Sequence, residues 1–541
     1  MRPGRDQVAT RRGPVSPADF GVEQFTVPAV LDRRARQFPD RVLVRVAGTP
    51  VTFEQMRQKS CAAAGALADL GIARGDCVAL FTATCPEWIY FWLGAARLGA
   101  VTAAVNAANK GDFLLHALEL SRAKAIITDA ERRPRVEEVA VRLDPAIGVV
   151  VAGEALDHAL EHGVTRSVAE RATGEVDIGS LFFTSGTTGA SKAVATTWHY
   201  LFTAAARVAS AWNFESGEVL WTAMPLFHLS AAPTVLAPML VGGTTVLASG
   251  FRPTKVWDEV RACGAAGFAG AGAMVSMLAN QPADAGDAQL PLRFISAAPI
   301  DAALHRVLEE RYHCRVVTMY GLTEAFPVTV AGVADRGVPG TSGQPNPDFE
   351  VRILDADGIP LPPDRAGEIV CRAKHPHVMS EGYVTAGDAG AGSNLPVERH
   401  PQWFRTGDLG MLDTEGNLTY LDRVKDSLRR RGENVSSVEV ERVVLQHPAV
   451  LEAAVVGVPS DLGEDDILLT VTLEPYSTLN HAELLDFCGA RMPYFCVPRY
   501  VDIVDDIPKT IIGRVRKDQL RARGVSPNAW DRETHGYKVS R

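Results

Sequence analysis

One loop of the chain combines hydroxyl groups, glycines and a terminal lysine, the set of groups that binds phosphate. It follows the apolar run Leu181–Phe183 and consists of Thr184, Ser185, Gly186, Thr187, Thr188, Gly189, Ala190, Ser191 and Lys192. Glycines let the backbone turn tightly and bring its N–H groups close to an anion, the hydroxyls donate hydrogen bonds, and Lys192 adds positive charge. The pattern is not a Walker A loop. A solvated surface loop is the alternative, and the preceding strand and the lysine favour phosphate binding.

Two further runs carry groups suited to a nucleotide. The first is Tyr320-Gly321-Leu322-Thr323-Glu324. Its ring can stack on a purine, its hydroxyl can bind phosphate and its carboxylate can hold Mg²⁺. The second is Phe404–Gly410, in which Asp408 can accept both hydroxyls of a ribose. A turn aspartate is the alternative interpretation of Asp408, because Gly-Asp is common in turns.

Short β-rich runs alternate with segments of helical periodicity up to about residue 320. Strands are predicted at 42–46, 78–81, 101–105, 125–128, 244–247, 268–269, 294–295 and 316–319, and helices at 52–70 and 113–120. This alternation implies parallel sheets. The hydroxyl-rich loop and Tyr320 each follow one of the predicted strands.

After Gly340 the pattern changes to short strands separated by Asp-Gly and Glu-Gly turns. These strands are predicted at 351–354, 368–372, 411–412 and 418–420, followed from about Lys425 by strands at 453–458 and 467–473 and a helix at 480–491. The first group indicates an antiparallel or barrel-like subdomain. The second is a separate unit that mixes strands and a helix.

The composition is that of a globular protein with several domains. The 541 residues exceed the size of one hydrophobic core, and 46% hydrophobic and 22% charged residues are ordinary proportions. A net charge of −9 argues against a general nucleic-acid binder. The eight cysteines have no CxxC pair and no zinc spacing, which favours free thiols in a reducing cytosol and hence a cytoplasmic protein.

Two segments could be mistaken for targeting signals. Residues 1–19 are predicted to form a flexible tail, because the Arg- and Gly-rich start has no apolar run and therefore no secretory signal. The apolar stretch 88–105 is predicted to be a buried helix leading into a buried strand. A membrane span is disfavoured there because Arg97 and glycines interrupt the stretch.

The loop 184–192 resembles the signature of the acyl-adenylate-forming superfamily, which includes acyl-CoA synthetases, adenylation domains of peptide synthetases and luciferases. The resemblance extends over about residues 25–525, with several motifs in family order. Ala193 stands where the family usually has a glycine after the lysine. The runs Asn106–Leu114 and Arg429–Asn434 look closest to the crotonobetaine/carnitine-type CoA ligases of this superfamily.

The resemblance implies a role for each matching residue around the nucleotide. It places Thr323 on the α-phosphate and Glu324 on Mg²⁺, within the Tyr320-Gly321 motif that contacts the base. It gives ribose binding to Asp408. By the same resemblance, Arg423 reaches the ribose or a phosphate, and Lys425 lies at the hinge about which the small domain rotates.

Three other matches concern the acid, the adenine and CoA. His228 lies near the acyl pocket by resemblance, and a structural role for a lone histidine is the alternative. Ser296–Pro299 stands where the family has Gly-Gly-Ala-Pro along the adenine, which places Ala298 there and adds methyl groups to that wall. The basic run Arg429–Asn434 is either a solvated charged face or a patch for the phosphates of CoA, with Gly432 leaving room for the pantetheine arm.

Arg514 departs from the family pattern. It stands where the family has the lysine that bridges the carboxylate and the α-phosphate. Arginine keeps the charge on a wider planar group and can clamp two oxyanions in a bidentate way. Three interpretations stay open: Arg514 does the work of the lysine, the acid is unusual, or adenylation is impaired. Lys509 and Lys517 lie off the aligned position.

The resemblance implies an α/β fold with two domains. The large N-terminal domain, residues 20–424, is expected to contain sandwiched α/β sheets and a small β-barrel-like subdomain. A small mobile α+β C-terminal domain is expected at residues 425–541. The site is expected in the cleft between them, and a homodimer is compatible with the sequence.

The expected activity is the ATP- and Mg²⁺-dependent activation of a carboxylic acid as acyl-AMP with release of pyrophosphate, followed by domain rotation and transfer to the thiol of CoA. One alternative is an adenylating enzyme of secondary metabolism that loads a carrier protein or an amine, or that activates nitrite to diazotise an aromatic amine. A non-enzymatic nucleotide-binding protein is another. Small residues expected in the pocket indicate room for a bulky or aromatic acid; they are Ser230, Ala231, Ala232 and Ala273.

Overall fold

Strands and helices alternate along the N-terminal part of the chain in the computed structural model, as the sequence pattern predicts. The structure describes residues 15–143, 147–161, 174–184, 191–335, 337–385, 395–423, 427–431, 433–508 and 515–539. Its strands form two large sheets, two four-stranded sheets and one hairpin.

The first large sheet has a parallel centre and antiparallel edges. Its strands are β1 (Val42–Val46), β2 (Thr49–Thr52), β9 (Val219–Thr222), β10 (Thr244–Leu247), β11 (Gly267–Ala271), β12 (Phe294–Ala298), β13 (Arg315–Leu322), β14 (Ala325–Ala331) and β15 (Gln344–Pro345). The spatial order is β15-β14-β13-β12-β11-β9-β10-β1-β2. The strands from β1 to β13 in this order are parallel neighbours, and β2, β14 and β15 pair antiparallel.

The second large sheet has the same character. Its strands are β3 (Cys77–Phe81), β4 (Val101–Ala104), β5 (Ala123–Thr128), β6 (Gly148–Val151), β7 (Ile178–Thr184), β8 (Lys192–Thr197), β18 (Gly382–Val384) and β19 (Val397–Arg399), in the order β19-β18-β8-β7-β4-β3-β5-β6. The predicted phosphate loop joins the antiparallel pair β7 and β8. The Thr184 and Lys192 at its two ends are register partners, so the ends of the loop are held side by side.

Helices pack on and between these sheets. They are α1 (Arg33–Gln37), α2 (Phe53–Asp69), α3 (Pro86–Leu98), α4 (Gly111–Ser121), α5 (Arg133–Ala140), α6 (Ala152–Glu161), α7 (Trp198–Trp212), α8 (Ala232–Val241), α9 (Pro253–Cys263), α10 (Gly272–Ala279), α11 (Ala302–Tyr312), α12 (Ser437–Val444), α13 (His481–Arg491) and α14 (Lys517–Arg523). One apolar cluster joins α2, α3, α7 and α8 to Val44 and Phe294 of the first sheet and to Leu80 and Phe182 of the second. The main core therefore lies between the two large sheets.

The apolar stretch 88–105 lies in this core as α3 followed by β4. Pro86 occupies the first turn of α3, and Gly99 ends the helix in the left-handed conformation that favours glycine. Within the described residues, no helix is both long enough and apolar enough to cross a membrane.

A third, antiparallel sheet follows the large ones. Its strands are β16 (Phe349–Leu354), β17 (Gly367–Ala373), β20 (Phe404–Leu412) and β21 (Leu418–Arg423), in that order. The run around Asp408, where the sequence also allowed a turn, is in fact the middle of the long strand β20. The strand β14 is not predicted by the sequence pattern, because Pro327 interrupts it.

The C-terminal part is a smaller α+β unit. It contains the hairpin β22 (Ser427–Arg430) and β23 (Glu433–Ser436) and a sheet of β24 (Val450–Pro459), β25 (Asp465–Leu473), β26 (Tyr500–Ile503) and β27 (Trp530–Asp531). The fold class is confirmed: an α/β N-terminal domain with a small β subdomain, and a small α+β C-terminal domain. The boundary at residues 424 and 425 stays a prediction, because residues 424–426 lie outside the described part, as do residues 1–14 of the predicted tail.

The two parts meet at the N-terminal end of α4. Phe113 belongs to the same apolar cluster as the core of the C-terminal domain. The Asp112 carboxylate accepts a hydrogen bond from Gln446 Nε2 at 2.7 Å, while Arg142 pairs with its other oxygen at 2.8 Å. An α4 residue therefore completes the apolar core of the C-terminal domain.

Candidate active site

A cleft of about 1460 Å³ opens between the first large sheet, the third sheet and the C-terminal domain. Its lining includes every predicted site residue whose side chain the structure describes: Thr184, Lys192, His228, Ala298, Tyr320, Gly321, Thr323, Glu324 and Asp408. Other predicted residues, Ser185, Gly186, Thr187, Thr188, Gly189, Lys425, Gly432 and Arg514, lie outside the described residues. Arg423 is described in its backbone, which pairs with Asp408 across β20 and β21.

Tyr320 and Asp408 join two sheets at one end of the cleft. The Tyr320 hydroxyl, on β13, donates to Asp408 Oδ2 on β20 at 2.7 Å. The ring of Tyr420 stacks near that of Tyr320, with the centroids 6.1 Å apart. Burial, and then the Asp408 carboxylate, raise the pKa of Tyr320 well above its ordinary value, so the phenol stays protonated. The pair offers a buried acceptor and an aromatic face, which suit a nucleoside.

The hairpin between β13 and β14 presents Thr323 and Glu324. Its backbone is fixed by Tyr200, whose hydroxyl donates to the carbonyl of Thr323 at 3.2 Å. Ser380 N–H donates to the carbonyl of Glu324 at 2.8 Å. The carboxylate of Glu324 accepts a hydrogen bond from the Tyr383 hydroxyl at 2.6 Å and is 6% exposed. Several neighbours therefore hold this hairpin in place.

Tyr383 and His400 were not identified from the sequence. Lys192 Nζ lies 4.4 Å from the centre of the Tyr383 ring, so the phenol contacts both Lys192 and Glu324. His400 meets the same ring edge-on and bonds to Ser380 Oγ through Nε2 at 2.7 Å. Burial, and then the charge of Lys192, lower the pKa of His400 to about 4, which leaves it neutral at neutral pH. A lone tyrosine or histidine far from the other motifs gives no sequence signal for such a cluster.

His228 is paired with the C-terminal domain. Its Nε2 lies 2.9 Å from Glu433 Oε2, and Asn106 Nδ2 donates to the same oxygen at 3.3 Å. Glu433 is only 8% exposed. His228 therefore has a charged partner from β23, more than two hundred positions away, which the sequence did not reveal.

Glu439 makes a second contact between the domains. Its Oε1 accepts hydrogen bonds from both the N–H and the hydroxyl of Ser191, each at 3.1 Å. Ser191 directly precedes Lys192, at the end of the predicted phosphate loop. Helix α12 of the C-terminal domain is thus tied to that loop.

Neither interpretation of the run Arg429–Asn434, a solvated charged face or a patch for the phosphates of CoA, holds for Arg430. Arg430 is 2% exposed, pairs with Asp466 at 3.1 Å and donates from Nη1 to the carbonyl of Val497 at 2.6 Å. These partners, which are distant in sequence, hold its guanidinium inside the C-terminal domain, so it cannot reach the phosphates of CoA. Only the flanking Arg429 reaches the cleft.

The prediction that four small residues line the pocket is wrong for three of them. Of the four, Ser230 lines the cleft. Ala231 at the N-cap of α8, Ala232 at its first position and Ala273 in the first turn of α10 are buried instead. Ser296, Ala297 and Ala298 line the cleft at the end of β12.

The residues that could hold a metal are few. Within the described part of the chain, no group of three or more histidine, cysteine, aspartate or glutamate side chains could bind an ion. Mg²⁺ in nucleotide sites uses one or two carboxylates, with phosphates and waters as the other ligands. Glu324 supplies one carboxylate in the cleft that also contains Thr184 and Lys192, and it fits that donor set.

The fold and the cleft are those of a two-domain protein with hydroxyl groups, carboxylates, aromatic rings and a lysine lining one site. Models of known families assign it further: the family described as AMP-binding enzyme matches residues 31–384, and the AMP-binding enzyme C-terminal domain matches residues 439–514. The chain belongs to the AMP-binding enzyme family. The predicted resemblance to acyl-adenylate-forming enzymes is thereby confirmed, and the chain is classed with the AMP-forming acid–thiol ligases.

Among curated relatives, a crotonobetaine/carnitine–CoA ligase of Salmonella choleraesuis (strain SC-B67) is 31% identical over 475 residues, covering 84% of this chain and 89% of the relative. Among solved structures, a double mutant of o-succinylbenzoate CoA synthetase from Bacillus subtilis, bound to the product analogue OSB-NCoA, aligns with a TM-score of 0.77 at 24% identity, covering 92% of this chain and 98% of the other.

The same Bacillus subtilis synthetase in complex with AMP aligns less well, with a TM-score of 0.64 at 24% identity, over 91% of this chain and 97% of the other.

Proposed function

We propose that the protein is an ATP-dependent acid–CoA ligase that forms an acyl-adenylate and then an acyl-CoA. The observation that carries this proposal is the gathering, in one cleft, of a buried carboxylate beside stacked rings, a lysine at a loop end and a carboxylate on a hairpin. These groups come from separate sheets and are distant in sequence. The buried carboxylate and the rings suit the ribose and the base of ATP, the lysine suits the phosphates, and the hairpin carboxylate suits the metal ion.

In the first half-reaction, the nucleoside is proposed to lie against Tyr320 with its ribose hydroxyls on Asp408, and Arg423 is proposed to assist. Thr184, Lys192 and Thr323, together with the loop residues 185–189, would bind the phosphates. Ala298 and Gly321 would form the walls beside the base. Fixed donors of this kind stabilise charge as it develops on the phosphates during attack by the carboxylate.

Glu324 is proposed to hold Mg²⁺, which would neutralise part of the phosphate charge when bound. The Tyr383 hydroxyl keeps the Glu324 carboxylate oriented. Arg514 is proposed to clamp the carboxylate and the α-phosphate in place of a lysine, since a guanidinium can bind two oxyanions at once. Pyrophosphate then leaves.

In the second half-reaction, the C-terminal domain is proposed to rotate about Lys425 and to admit CoA past Gly432. The contacts of Glu433 with His228 and of Glu439 with Ser191 support this part, because they are made when the C-terminal domain covers the cleft. A thiol would then attack the acyl-adenylate, and AMP would be released.

The test is a pyrophosphate-release assay over aliphatic and aryl acids, with and without CoA. We expect acid-dependent pyrophosphate release, and AMP release that accelerates when CoA is added. Asp408→Asn should raise the KM for ATP by roughly tenfold or more through the loss of a charged hydrogen-bond acceptor. Acid-dependent pyrophosphate release without any acceleration of AMP release by CoA would contradict the ligase.

Arg514 favours one second candidate. An altered clamp is compatible with an adenylating enzyme that loads a carrier protein or an amine, or that activates nitrite for diazotisation of an aromatic amine, as in secondary metabolism. ATP consumption that requires nitrite and an aryl amine would identify the last of these. Arg514→Lys should leave adenylation similar or faster if the arginine only replaces a lysine, whereas a collapse of activity would mean that it is adapted to its substrate.

A further inference from the structure

The cleft has one wall that carries charge and one that does not. Its charged lining residues lie on the phosphate-loop strand β8, the β13–β14 hairpin, the third sheet, the region of β19 and the C-terminal domain. The stretch 208–323, all of it described, contributes α7, the start of α8 and the ends of β11, β12 and β13 to the other wall. No aspartate, glutamate, lysine or arginine of that stretch lines the cleft, and the histidine of that stretch that does, His228, is already paired with Glu433 at 2.9 Å.

The uncharged wall is apolar and deep. Its larger side chains include Val208, Trp212, Met224, Pro233 and Met319. Val208 and Trp212 are 2% exposed and Met319 is 7% exposed. The hydroxyl of Thr234 on this wall already donates to the carbonyl of Ala231 at 2.7 Å. This wall therefore offers rings, thioethers and methyl groups for packing.

The charged groups just behind this wall have partners. Arg207, next to Val208 on α7, donates from Nε and Nη2 to the two carboxylate oxygens of Asp348, each at 2.6 Å. Arg293, just before β12, is bound by Glu218 at 2.6 Å. Neither guanidinium is positioned to neutralise a second carboxylate of a substrate.

The same wall is also unsuited to bind a quaternary ammonium group. Cations of this kind are held by carboxylates or by several aromatic faces. The Trp212 ring is stacked on Phe294, with the centroids 5.5 Å apart and the planes at 17°, so one of its faces is covered. Burying an unpaired charge against such a wall is strongly unfavourable.

We infer that the acid activated here is an aromatic or similarly bulky apolar monocarboxylic acid that carries no charge besides its carboxylate. The inference rests on the proposed function, since only the acyl group of an adenylate would need this wall. Aromatic and thioether side chains favour an aryl ring. Crotonobetaine and carnitine, named for the curated relative, each carry a quaternary ammonium and are therefore expected to be poor substrates of this chain.

The test compares acids that differ only in charge. Crotonobetaine is compared with its carbon isostere 5,5-dimethylhex-2-enoate, and terephthalate with 4-nitrobenzoate, in the pyrophosphate-release assay with saturating ATP and Mg²⁺. The member of each pair that lacks the second charge should have a kcat/KM at least ~100-fold higher, because burying an unpaired charge is strongly unfavourable. If crotonobetaine or terephthalate matches its singly charged partner, the inference is overturned and the ligase still stands.

A variant pair tests the wall itself. Met224→Glu places a carboxylate on it, and Met224→Gln adds the same shape without charge. Met224→Glu should shift the ratio of kcat/KM values toward crotonobetaine by ~10-fold or more, and Met224→Gln should not. An unchanged ratio in a Met224→Glu protein that still binds ATP would count against the wall as the acyl site. If no acid in either pair releases pyrophosphate from the wild-type protein, the proposed function fails together with the inference.

Discussion

One side chain in the cleft, Tyr383, contacts two of the predicted site residues. The hydroxyl of Tyr383 donates to Glu324, and its ring faces Lys192. One phenol thus fixes a carboxylate and an ammonium that are proposed to bind the same magnesium nucleotide. The two contacts can be separated, because one uses the oxygen and the other uses the ring.

Tyr383→Phe removes the hydrogen bond and keeps the ring. We expect the Mg²⁺ concentration needed for half-maximal pyrophosphate release to rise ~10-fold, the usual effect of losing a hydrogen bond to a charged group. Tyr383→Leu removes both contacts and should also raise the KM for ATP. If the two variants behave alike, or if Mg²⁺ dependence is unchanged in both, Tyr383 has no separate effect on Glu324.

His400 predicts a loss of stability in acid. Its pKa is lowered to about 4, chiefly by burial and then by Lys192, against 6.5 for the free side chain. Between these values the unfolded chain binds a proton that the folded chain does not, so stability falls as the pH drops from 6.5 through 4, by up to about 3 kcal/mol.

Urea denaturation between pH 7 and 4.5 measures this loss. His400→Gln should lose less stability over that range than the wild-type chain. The free energy of unfolding of this variant should still fall somewhat with pH, because the pKa values of His199 and His305 are also lowered, chiefly by burial. Parallel curves for the two proteins would exclude His400 as a cause.

At the scale of secondary-structure elements, helix α12 contacts the N-terminal domain through the carboxylate of Glu439. Glu439→Gln weakens the bonds of this helix to Ser191, each of which is 3.1 Å long. We expect CoA-dependent AMP release to fall ~10-fold, because a charged acceptor is lost. ATP–pyrophosphate exchange should change little, since the proposed first half-reaction uses another domain orientation.

Glu441 supplies the matched control. It lies on the same helix but pairs with Lys517 inside the C-terminal domain, at 2.7 Å. Glu441→Gln should leave the ratio of the two half-reactions as it is in the wild type. A similar shift in both variants would point to general destabilisation of α12.

Elements and motifs with local signals could be predicted from the sequence. The strand before the phosphate loop, the run at Tyr320 and most strands follow from composition and spacing over a few residues. At Gly407 and Asp408 in β20, a turn stays open as the alternative interpretation of the sequence, because Gly-Asp has the same local signal in both settings. Gly407 indeed has a φ of 72°, yet the strand continues through it.

What the sequence could not predict depends on partners far along the chain. Glu433 reaches His228 only after the C-terminal domain has docked. The three arginines from 429 to 431 look alike in sequence, and burial of Arg430 follows from Asp466 and Val497. Tyr383 matters because the fold places it between Lys192 and Glu324.

At the scale of the whole molecule, the docking of the two domains depends on an apolar contact. Phe113 of α4 is 7% exposed and packs in the cluster of the C-terminal domain. Rotation of that domain would take the ring out of this cluster. The packing of Phe113 therefore favours the arrangement seen here, in which Glu433 and Glu439 cover the cleft.

Phe113→Ser should shift the balance between arrangements. We expect thioester formation to fall ~10-fold or more while ATP–pyrophosphate exchange is kept or raised, since core phenylalanine truncations cost about 3–5 kcal/mol. Phe113→Leu, which keeps most of the apolar volume, should retain both half-reactions. Small-angle scattering of the two variants would report the change in shape. An equal fall in both half-reactions would assign Phe113 to stability alone.

The position of Phe113 also bears on how such proteins can be recombined. A C-terminal domain grafted from a relative would meet a foreign side chain at the place where its own core is completed. Successful chimeras should therefore exchange the start of α4 along with the C-terminal domain, so that Phe113 and Asp112 travel with Gln446. Domain exchange during evolution would meet the same constraint. The exchanged unit would have to include the C-terminal domain and the start of α4, which are separate in sequence.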